Sequence, residues 1–248
     1  MTEILSDIVA EGERLLDVAG RGEQAIALLG GVAVRLRASD VPAGLDREYK
    51  DLDFAVPKGK SSDADALLRA AGYEPNVMFN AMNGKERMLF YDTDHGRQVD
   101  VFVGSFRMCH EIPFRPIGPG ERTLPLAELL LTKLQIIELN EKDVRDTVLL
   151  LHGHAIGDDD GDTVNGAQIA ELCAGDWGLW RTITANLAGC AEHVDEYQLS
   201  EDERQQVKQR LDELLERIEA APKSRGWKLR ARVGERKRWY ELPEEVER

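Results

Sequence analysis

The stretch between residues 28 and 56 constrains the fold more than any other part of the chain. It reads LLGGVAVRLRASDVPAGLDREYKDLDFAV. A short apolar run ends at Gly30 and Gly31, and a segment with helical periodicity follows. A loop containing Pro and Gly then leads into a second apolar run, which holds Asp51 and Asp53. This order predicts a strand, a helix, a loop and a second strand.

The two aspartates of the second run point to the chemistry of a phosphate or metal site. Side chains two apart in a strand share a face, so Asp51 and Asp53 point the same way, about 7 Å apart along the strand. Paired carboxylates repel unless cations lie between them, and hard divalent ions prefer oxygen ligands. Gly30 and Gly31 fall where a strand becomes a helix, and bare backbone N–H groups there can receive a phosphate. Together these features suit transfer from a nucleoside triphosphate.

Helical and strand-like patterns alternate downstream of this stretch. Residues 61–71 place apolar side chains on one helical face. Strand-like runs separated by Asn-Gly and His-Gly turns follow at residues 76–81, 87–91 and 98–103. In the last of these, Asp100 alternates with Val99 and Val101 and therefore faces away from the valine layer. We predict a mixed α/β sheet with flanking helices.

Helical patterns dominate the second half of the chain. Residues 125–151 predict two helices broken near Asn140. Further helices are predicted at residues 165–173, 177–194 and 199–221. The acidic stretch 156–166, IGDDDGDTVNG, lacks the glycine and the closing glutamate of a calcium loop, so we interpret it as a solvated linker. We therefore predict an α/β domain at 1–152 and a helical domain at 153–248.

The charge of the chain is unevenly distributed. A net charge of −14 over 248 residues argues against a protein that coats nucleic acid, but it leaves room for a local basic patch. The tail at 223–240 carries eight Lys or Arg side chains, one acid, and the aromatic residues Trp227, Trp239 and Tyr240. Such a tail suits single-stranded or loop nucleic acid, or it pairs with the acidic surface of the protein itself.

The number and spacing of the cysteines, together with the hydropathy of the chain, indicate the cellular compartment of the protein. The three cysteines have no C-x-x-C spacing, which argues against a disulfide framework or a zinc knuckle. No apolar run approaches the roughly 20 residues that span a bilayer. The acidic, amphipathic start MTEILSDIVAEGERLL is unlike a secretory signal. We therefore expect a cytoplasmic protein without a membrane segment.

The glycine pair followed by the D-x-D strand resembles the nucleotidyltransferase superfamily, which includes DNA polymerase beta and the aminoglycoside nucleotidyltransferases. The run REYKDLDF, with Arg47 four residues before Asp51, is similar to the AbiEii-type abortive-infection toxin branch. That branch usually has Ser or Thr where this chain has Tyr49, and its glycines lie nearer to the acidic pair. The resemblance covers residues 24–152.

The resemblance implies a nucleotidyltransferase fold and a set of site residues. Two Mg²⁺ ions would be held by Asp51, Asp53 and Asp100. The phosphates of the triphosphate would be bound by Gly30, Gly31, Arg47 and Lys133. Asp143 and Asp146, on the helix after Lys133, are further candidates because AbiEii-like sequences carry spaced acidic groups there.

The resemblance also implies the reaction and its partners. A nucleoside monophosphate would pass from a triphosphate to an acceptor hydroxyl, with release of pyrophosphate. The acceptor would be tRNA, and a toxin of this branch would have an antitoxin partner. The composition of the 223–240 tail makes it the candidate surface for this RNA. Two alternatives stay open. One is a small-molecule acceptor, as in the aminoglycoside enzymes, and the other is a nucleotide-binding module without catalysis.

Overall fold

A mixed β-sheet forms the centre of the first half of the protein. The computed structural model describes residues 3–242. The strands of the sheet are β1 (Ala27–Leu29), β2 (Asp51–Val56), β3 (Glu74–Pro75), β4 (Arg87–Asp92) and β5 (Arg97–Val103). Their order is β1-β2-β5-β4-β3, in which β2 and β5 are parallel and the other neighbouring pairs are antiparallel.

Helices and a small hairpin belong to the same compact unit, which we call the sheet unit. It comprises Met1–Arg37, Arg47–Arg107 and Glu111–Leu124. Its helices are α1 (Ile8–Arg21), α2 (Gly30–Arg37), α3 (Ser61–Ala70) and α4 (Val77–Asn83), and its hairpin consists of β6 (Ser105–Arg107) and β7 (Glu111–Pro113). The chain passes from β1 into α2 without an intervening loop, because α2 begins at the residue after Leu29.

Helix α1 covers one face of the sheet and thereby leaves the other face for the polar side chains of β2. A Cβ added to Gly12 of α1 would lie 3.2 Å from Leu28 and 3.3 Å from Leu52, so the helix and strands approach closely. Leu52 and Phe54 are fully buried on this side. Since side chains alternate along a strand, Asp51 and Asp53 point to the opposite face.

The second compact unit, which we call the helical unit, comprises Ala38–Asp46, Met108–His110 and Pro125–Arg248. Its helices are α5 (Leu126–Leu134), α6 (Glu141–Gly153), α7 (Gly166–Gly175), α8 (Trp177–His193), α9 (Glu201–Ala220) and α10 (Arg225–Val233), with short 3₁₀ turns at Val194–Glu196 and Gly234–Arg236. The strands β8 (Ile156–Gly157) and β9 (Val164–Asn165) form a parallel pair. Among the described residues, no helix is both long and apolar enough to cross a membrane.

The fold class predicted from the sequence is confirmed. A mixed α/β sheet with flanking helices is followed by a helical region. The predicted break near Asn140 is also confirmed. Asn140 is the N-cap of α6, where its side-chain oxygen accepts a hydrogen bond from the Asp143 backbone N–H at 3.1 Å.

The strand predicted at residues 76–81 is wrong, because this segment begins helix α4. Asn76 caps the helix by accepting a hydrogen bond from the Phe79 N–H at 3.0 Å. The side chain of Asn80 bonds both the N–H and the C=O of Leu89, at 2.7 and 3.0 Å, so the helix takes the place of a strand beside β4. The apolar residues Val77 and Met78 of the predicted strand are exposed on the helix, at 70% and 76%.

The acidic stretch 156–166 has more structure than a solvated linker. Its ends pair as β8 and β9, and Val164 and Asn165 are buried, whereas Asp158, Asp159 and Asp162 between them are exposed. The stretch lies inside the helical unit. The last segment of the sheet unit ends at Leu124, and the last segment of the helical unit begins at Pro125. The predicted functional division into 1–152 and 153–248 stays a prediction.

Candidate functional site in the sheet unit

The parallel register of β2 and β5 brings the predicted carboxylates to one face of the sheet. Asp53 lies directly opposite Asp100, and Asp51 lies opposite Gln98. Side chains of paired residues share a face, so Asp51, Asp53 and Asp100 all project from the face opposite to the one that α1 covers. Asp51 and Asp53 are half-buried. The roles predicted for these three residues stay predictions, but the fold juxtaposes them.

Asp100 is enclosed by donors from its own and the neighbouring strand. It is 4% exposed. Its Oδ1 lies 2.6 Å from both Nε and Nη2 of Arg87, and its Oδ2 accepts a hydrogen bond from Gln98 Nε2 at 2.7 Å. Burial raises the pKa of Asp100 above its ordinary value; Arg87 and Gln98 counteract this only in part, and the charge of Asp51 adds to it.

Arg87 is a site residue that sequence reasoning missed. It lies on β4 opposite Phe102, two positions from the residue that pairs with Asp100. Its guanidinium carbon is 5.3 Å from the centroid of the Phe102 ring and 5.9 Å from that of Phe79 on α4. These contacts and the Asp100 carboxylate fix the guanidinium in place. An arginine in a strand-like run gave no signal in the sequence, because its partner depends on the pairing of β4 with β5.

The glycine pair lets two charged side chains lie against the start of α2. Gly30 has a φ of +71°, a left-handed conformation that favours glycine, and a Cβ there would overlap Oδ2 of Asp53. A Cβ on Gly31 would overlap Nη2 of Arg47 and lie 2.9 Å from Cδ1 of Tyr49. The first backbone N–H groups of a helix have no partner within the helix and attract anions. The arrangement therefore places a carboxylate and a guanidinium beside the glycine turn at the start of α2.

Arg47 is held in a defined orientation. Its guanidinium carbon lies 4.3 Å from the centroid of the Tyr49 ring, and its Nη1 donates a hydrogen bond to the Glu48 carbonyl at 3.0 Å. Tyr49 therefore supports the arginine through its ring. The guanidinium offers a planar set of donors suited to phosphate oxygens.

Lys133, Asp143 and Asp146 form a separate cluster within the helical unit. Lys133 Nζ lies 2.8 Å from Oδ2 of Asp146 and 3.5 Å from Oδ1 of Asp143, and both Lys133 and Asp146 are buried. Burial raises the pKa of Asp143; Lys133 opposes this rise and Asp146 adds to it. The structure thus joins these three predicted residues to one another, and their parts in a reaction stay predictions.

The basic tail of the helical unit uses its aromatic residues for packing. Trp227 packs edge-on against Trp180 with centroids 5.1 Å apart, and Trp239 packs edge-on against Trp177 at 5.9 Å. Trp239 Nε1 donates a hydrogen bond to Thr182 Oγ1 at 3.1 Å. The exposed basic side chains of the tail are Arg225, Lys228, Arg232, Arg236, Lys237 and Arg238. The aromatic part of the tail is therefore engaged within the protein, while most of its charge faces solvent.

The donor set fits a divalent cation at one part of the sheet face only. Asp51 and Asp53 offer carboxylate oxygens from the same side of β2, which is the ligand type that Mg²⁺ prefers. Asp100 already accepts hydrogen bonds from Arg87 Nε and Gln98 Nε2 and forms an ion pair with Arg87 Nη2. Within residues 3–242, no group of three or more His, Cys, Asp or Glu side chains is arranged to hold a metal ion. The residues therefore fit a cation at Asp51 and Asp53 and do not fit a second one at Asp100.

The chain is similar to a solved structure at low sequence identity. No family model matches the chain. No curated protein matches it either. Among solved structures, the chain is similar to the lincomycin-bound crystal structure of the lincosamide antibiotic adenylyltransferase LnuA, with 19% identity and a TM-score of 0.41 over 56% of this chain and 92% of that chain. A similarity of this extent identifies neither a family nor an activity.

Proposed function

We propose that the protein is a metal-dependent nucleotidyltransferase that moves a nucleoside monophosphate from a triphosphate to an acceptor hydroxyl. One observation carries the proposal: the Asp53 carboxylate and the Arg47 guanidinium lie against the glycine turn that begins α2. A nucleotidyltransferase must hold a triphosphate and a divalent cation side by side. The turn supplies backbone donors for phosphate, and Asp51 and Asp53 supply oxygen ligands for the cation.

Each residue has a defined task in this proposal. The N–H groups of Gly30 and Gly31 and the guanidinium of Arg47 bind the triphosphate and stabilise charge on the leaving pyrophosphate. Asp51 and Asp53 hold the divalent cation, which neutralises phosphate charge when bound. The acceptor oxygen forms a bond to the α-phosphorus while the bond between this phosphorus and the bridging oxygen breaks. The hydroxyl proton passes to water or to a carboxylate of the same face, and pyrophosphate leaves.

We propose RNA, with tRNA as the first candidate, as the acceptor. The support is the exposed basic surface of the 223–240 tail, whose one acid, Glu235, is paired with Arg181 at 2.6 Å. Phosphate contacts by exposed Lys and Arg favour nucleic acid over a cationic small molecule. Base stacking on Trp227 and Trp239 is no part of the proposal, because both rings pack within the helical unit. Membership of the AbiEii-type branch, with its antitoxin partner, stays a prediction from REYKDLDF.

A second candidate function, nucleotide binding without transfer, is favoured by the state of Asp100. A carboxylate that is bonded by Arg87 and Gln98 is poorly placed to activate an acceptor. A pure nucleotide-binding module would still need Gly30, Gly31 and one cation. The two candidates differ in whether pyrophosphate is released.

Transfer can be tested with α-labelled triphosphates. The full-length protein is incubated with Mg²⁺ and each labelled triphosphate, together with total tRNA or an aminoglycoside, and both labelled acceptor and pyrophosphate are measured. We expect labelled tRNA from wild type and none from the double variant Asp51→Asn, Asp53→Asn. The matched control is Asp65→Asn, which removes the charge of a half-buried carboxylate of α3 paired with Arg69. Labelling of the aminoglycoside instead of tRNA would show that the acceptor is a small molecule and not RNA.

Two other outcomes would count against the proposal itself. Triphosphate binding without labelled product or pyrophosphate, with every acceptor, would support the binding module instead. Equal triphosphate binding by wild type and the double variant, with and without Mg²⁺, would remove the cation site from the proposal. Titration calorimetry on the same preparations measures both quantities.

A further inference from the structure

The three carboxylates of the sheet face have different surroundings. Asp53 lies beside the glycine turn, and it shares with Asp51 a half-buried position on β2. Asp100, directly opposite Asp53, is 4% exposed and is bonded through both of its oxygens. The two aspartates that pair across the parallel strands therefore differ in burial.

The positively charged guanidinium of Arg87 lies directly beside the Asp100 carboxylate, where a metal cation would otherwise bind. Its Nε and Nη2 both lie 2.6 Å from Oδ1, a spacing typical of strong charge-assisted contacts. An ionised carboxylate oxygen has two lone pairs, so these contacts saturate Oδ1. Gln98 donates to Oδ2 at 2.7 Å and takes one of its two lone pairs. Asp100 is thus left with one lone pair and with its charge already balanced by a guanidinium.

The guanidinium of Arg87 is held from two sides besides Asp100. The rings of Phe79 and Phe102 lie 5.9 and 5.3 Å from its central carbon, and its side chain is 18% exposed. Aromatic faces attract a cation and restrict its movement. A divalent ion that bound Asp100 would have to approach this fixed positive charge closely. Repulsion between the two cations would weaken that binding.

We infer that Arg87 is a positioning residue that takes the place of a second divalent cation, so that the site binds one divalent ion, through Asp51 and Asp53. The inference rests on the proposed function, since it concerns the same site. It departs from the pair of Mg²⁺ ions that the family resemblance implies. Asp100 then serves to anchor Arg87 and is not a metal ligand.

The number of bound ions can be counted without any reaction. Mn²⁺ alone is titrated into the full-length protein, and free Mn²⁺ is followed by electron paramagnetic resonance, which gives the bound ions per chain. We expect one bound ion in wild type, one in Asp100→Asn, and none in the double variant Asp51→Asn, Asp53→Asn. Removal of the guanidinium by Arg87→Met frees Asp100, so this variant should bind two ions.

Further variants control for folding and for general charge effects. In Arg87→Met, Asp100→Asn the freed carboxylate is absent, so the count should return to one. Arg87→Lys keeps a positive charge beside Asp100 and should also bind one ion. The matched control is Arg69→Met, which removes an arginine from an exposed pair with Asp65 in the same unit and should leave the count at one. Circular dichroism establishes that each variant is folded.

The possible results distinguish a failure of this inference from a failure of the proposed function. Two ions in wild type, with one lost in Asp100→Asn, would overturn the role of Arg87 and leave the proposed transfer intact. One ion in folded Arg87→Met would also overturn it, because Arg87 would then not be what excludes the second ion. No ion in wild type would overturn both the inference and the cation site of the proposed function.

Discussion

The Asp53 carboxylate occupies the space that a side chain at Gly30 would need. Oδ2 of Asp53 overlaps the position of an added Cβ, and Gly30 has a φ of +71°. At Gly30, the junction of β1 and α2 therefore contacts the acidic strand β2. A residue larger than glycine does not fit there. This contact couples the glycine turn at the start of α2 to the acidic strand β2.

Substitution of Gly30 should damage both stability and activity. Gly30→Ala introduces a strained φ and displaces the Asp53 carboxylate, so we expect a loss of about 2–5 kcal/mol in unfolding free energy. The matched control is Gly59→Ala. Gly59 has a φ of +85° and no atom within 4 Å of an added Cβ, so only the backbone strain of about 1–2 kcal/mol applies. Urea denaturation of both variants measures the difference, and equal losses would contradict the contact with Asp53.

Glu11 should make the stability of the sheet unit depend on pH. Burial raises the pKa of Glu11, but hydrogen bonds from Arg14, the Leu5 N–H and Tyr73 outweigh it and hold the pKa below its ordinary value. A carboxyl group whose pKa is lower in the folded state stabilises the protein above its unfolded pKa. This stabilisation is lost as the pH falls through the folded pKa.

The variant Glu11→Gln isolates this contribution. We expect it to cost about 1–3 kcal/mol at pH 7, because buried donors lose a charged acceptor. The difference from wild type should shrink as the pH falls below the ordinary pKa of a glutamate, about 4.3. Urea midpoints from pH 7 to pH 3 measure it, with Glu74→Gln, an exposed position on β3, as control. A difference that grows toward low pH would show that the pKa is raised instead.

The three thiols should be unreactive in the native protein. Cys109, Cys173 and Cys190 are buried and form no disulfide. Burial raises the pKa of Cys173 to about 12 and that of Cys190 to about 12, and it also raises the pKa of Cys109. The thiolate is the reactive form, so labelling at pH 8 should be slow. A thiol-specific chromophore should report three fast thiols in denaturant and none in buffer; one fast native thiol would contradict the packing described.

The exposed basic residues of α10 should govern RNA binding without affecting stability. We compare wild type with the triple variant Arg225→Gln, Lys228→Gln, Arg232→Gln. Loss of three phosphate contacts should reduce the slope of log affinity against log salt by about 2. Fluorescence anisotropy with labelled tRNA at several salt concentrations measures the slope. Arg21→Gln, which neutralises an exposed arginine of α1, is the control, and an unchanged slope in the triple variant would remove the tail from the interface.

Much of the candidate site follows from local sequence rules. The two-residue period of a strand places Asp51 and Asp53 on one face, and the glycine pair marks the passage from β1 to α2. Asn140 ends one helical pattern and caps the next helix. These features depend on neighbours within a few positions in the chain, so periodicity and capping chemistry suffice to predict them.

In one segment the local sequence pattern gave a wrong prediction, and in another it left two alternatives open. The apolar residues at 77–79 suggested a strand, yet Asn76 caps a helix there and Asn80 binds the backbone of Leu89. The aromatic residues of the tail suited base stacking as well as internal packing, and Trp239 packs against Trp177. Trp239 packs against a residue far along the chain, which a local pattern does not contain. The helix has a local signal, the N-cap Asn76, together with the contact of Asn80 with Leu89 nine positions later.

The sequence by itself determined the acidic strand, the glycine turn and the order of helices and strands from β1 to α3. Only the tertiary structure decided that Asp53 lies opposite Asp100 and that Arg87 balances the charge of Asp100. The register between strands is set by burial of one face of the whole sheet, because a shift by one residue would turn every side chain to the other face. The partner of a buried carboxylate is therefore a consequence of how the entire sheet packs.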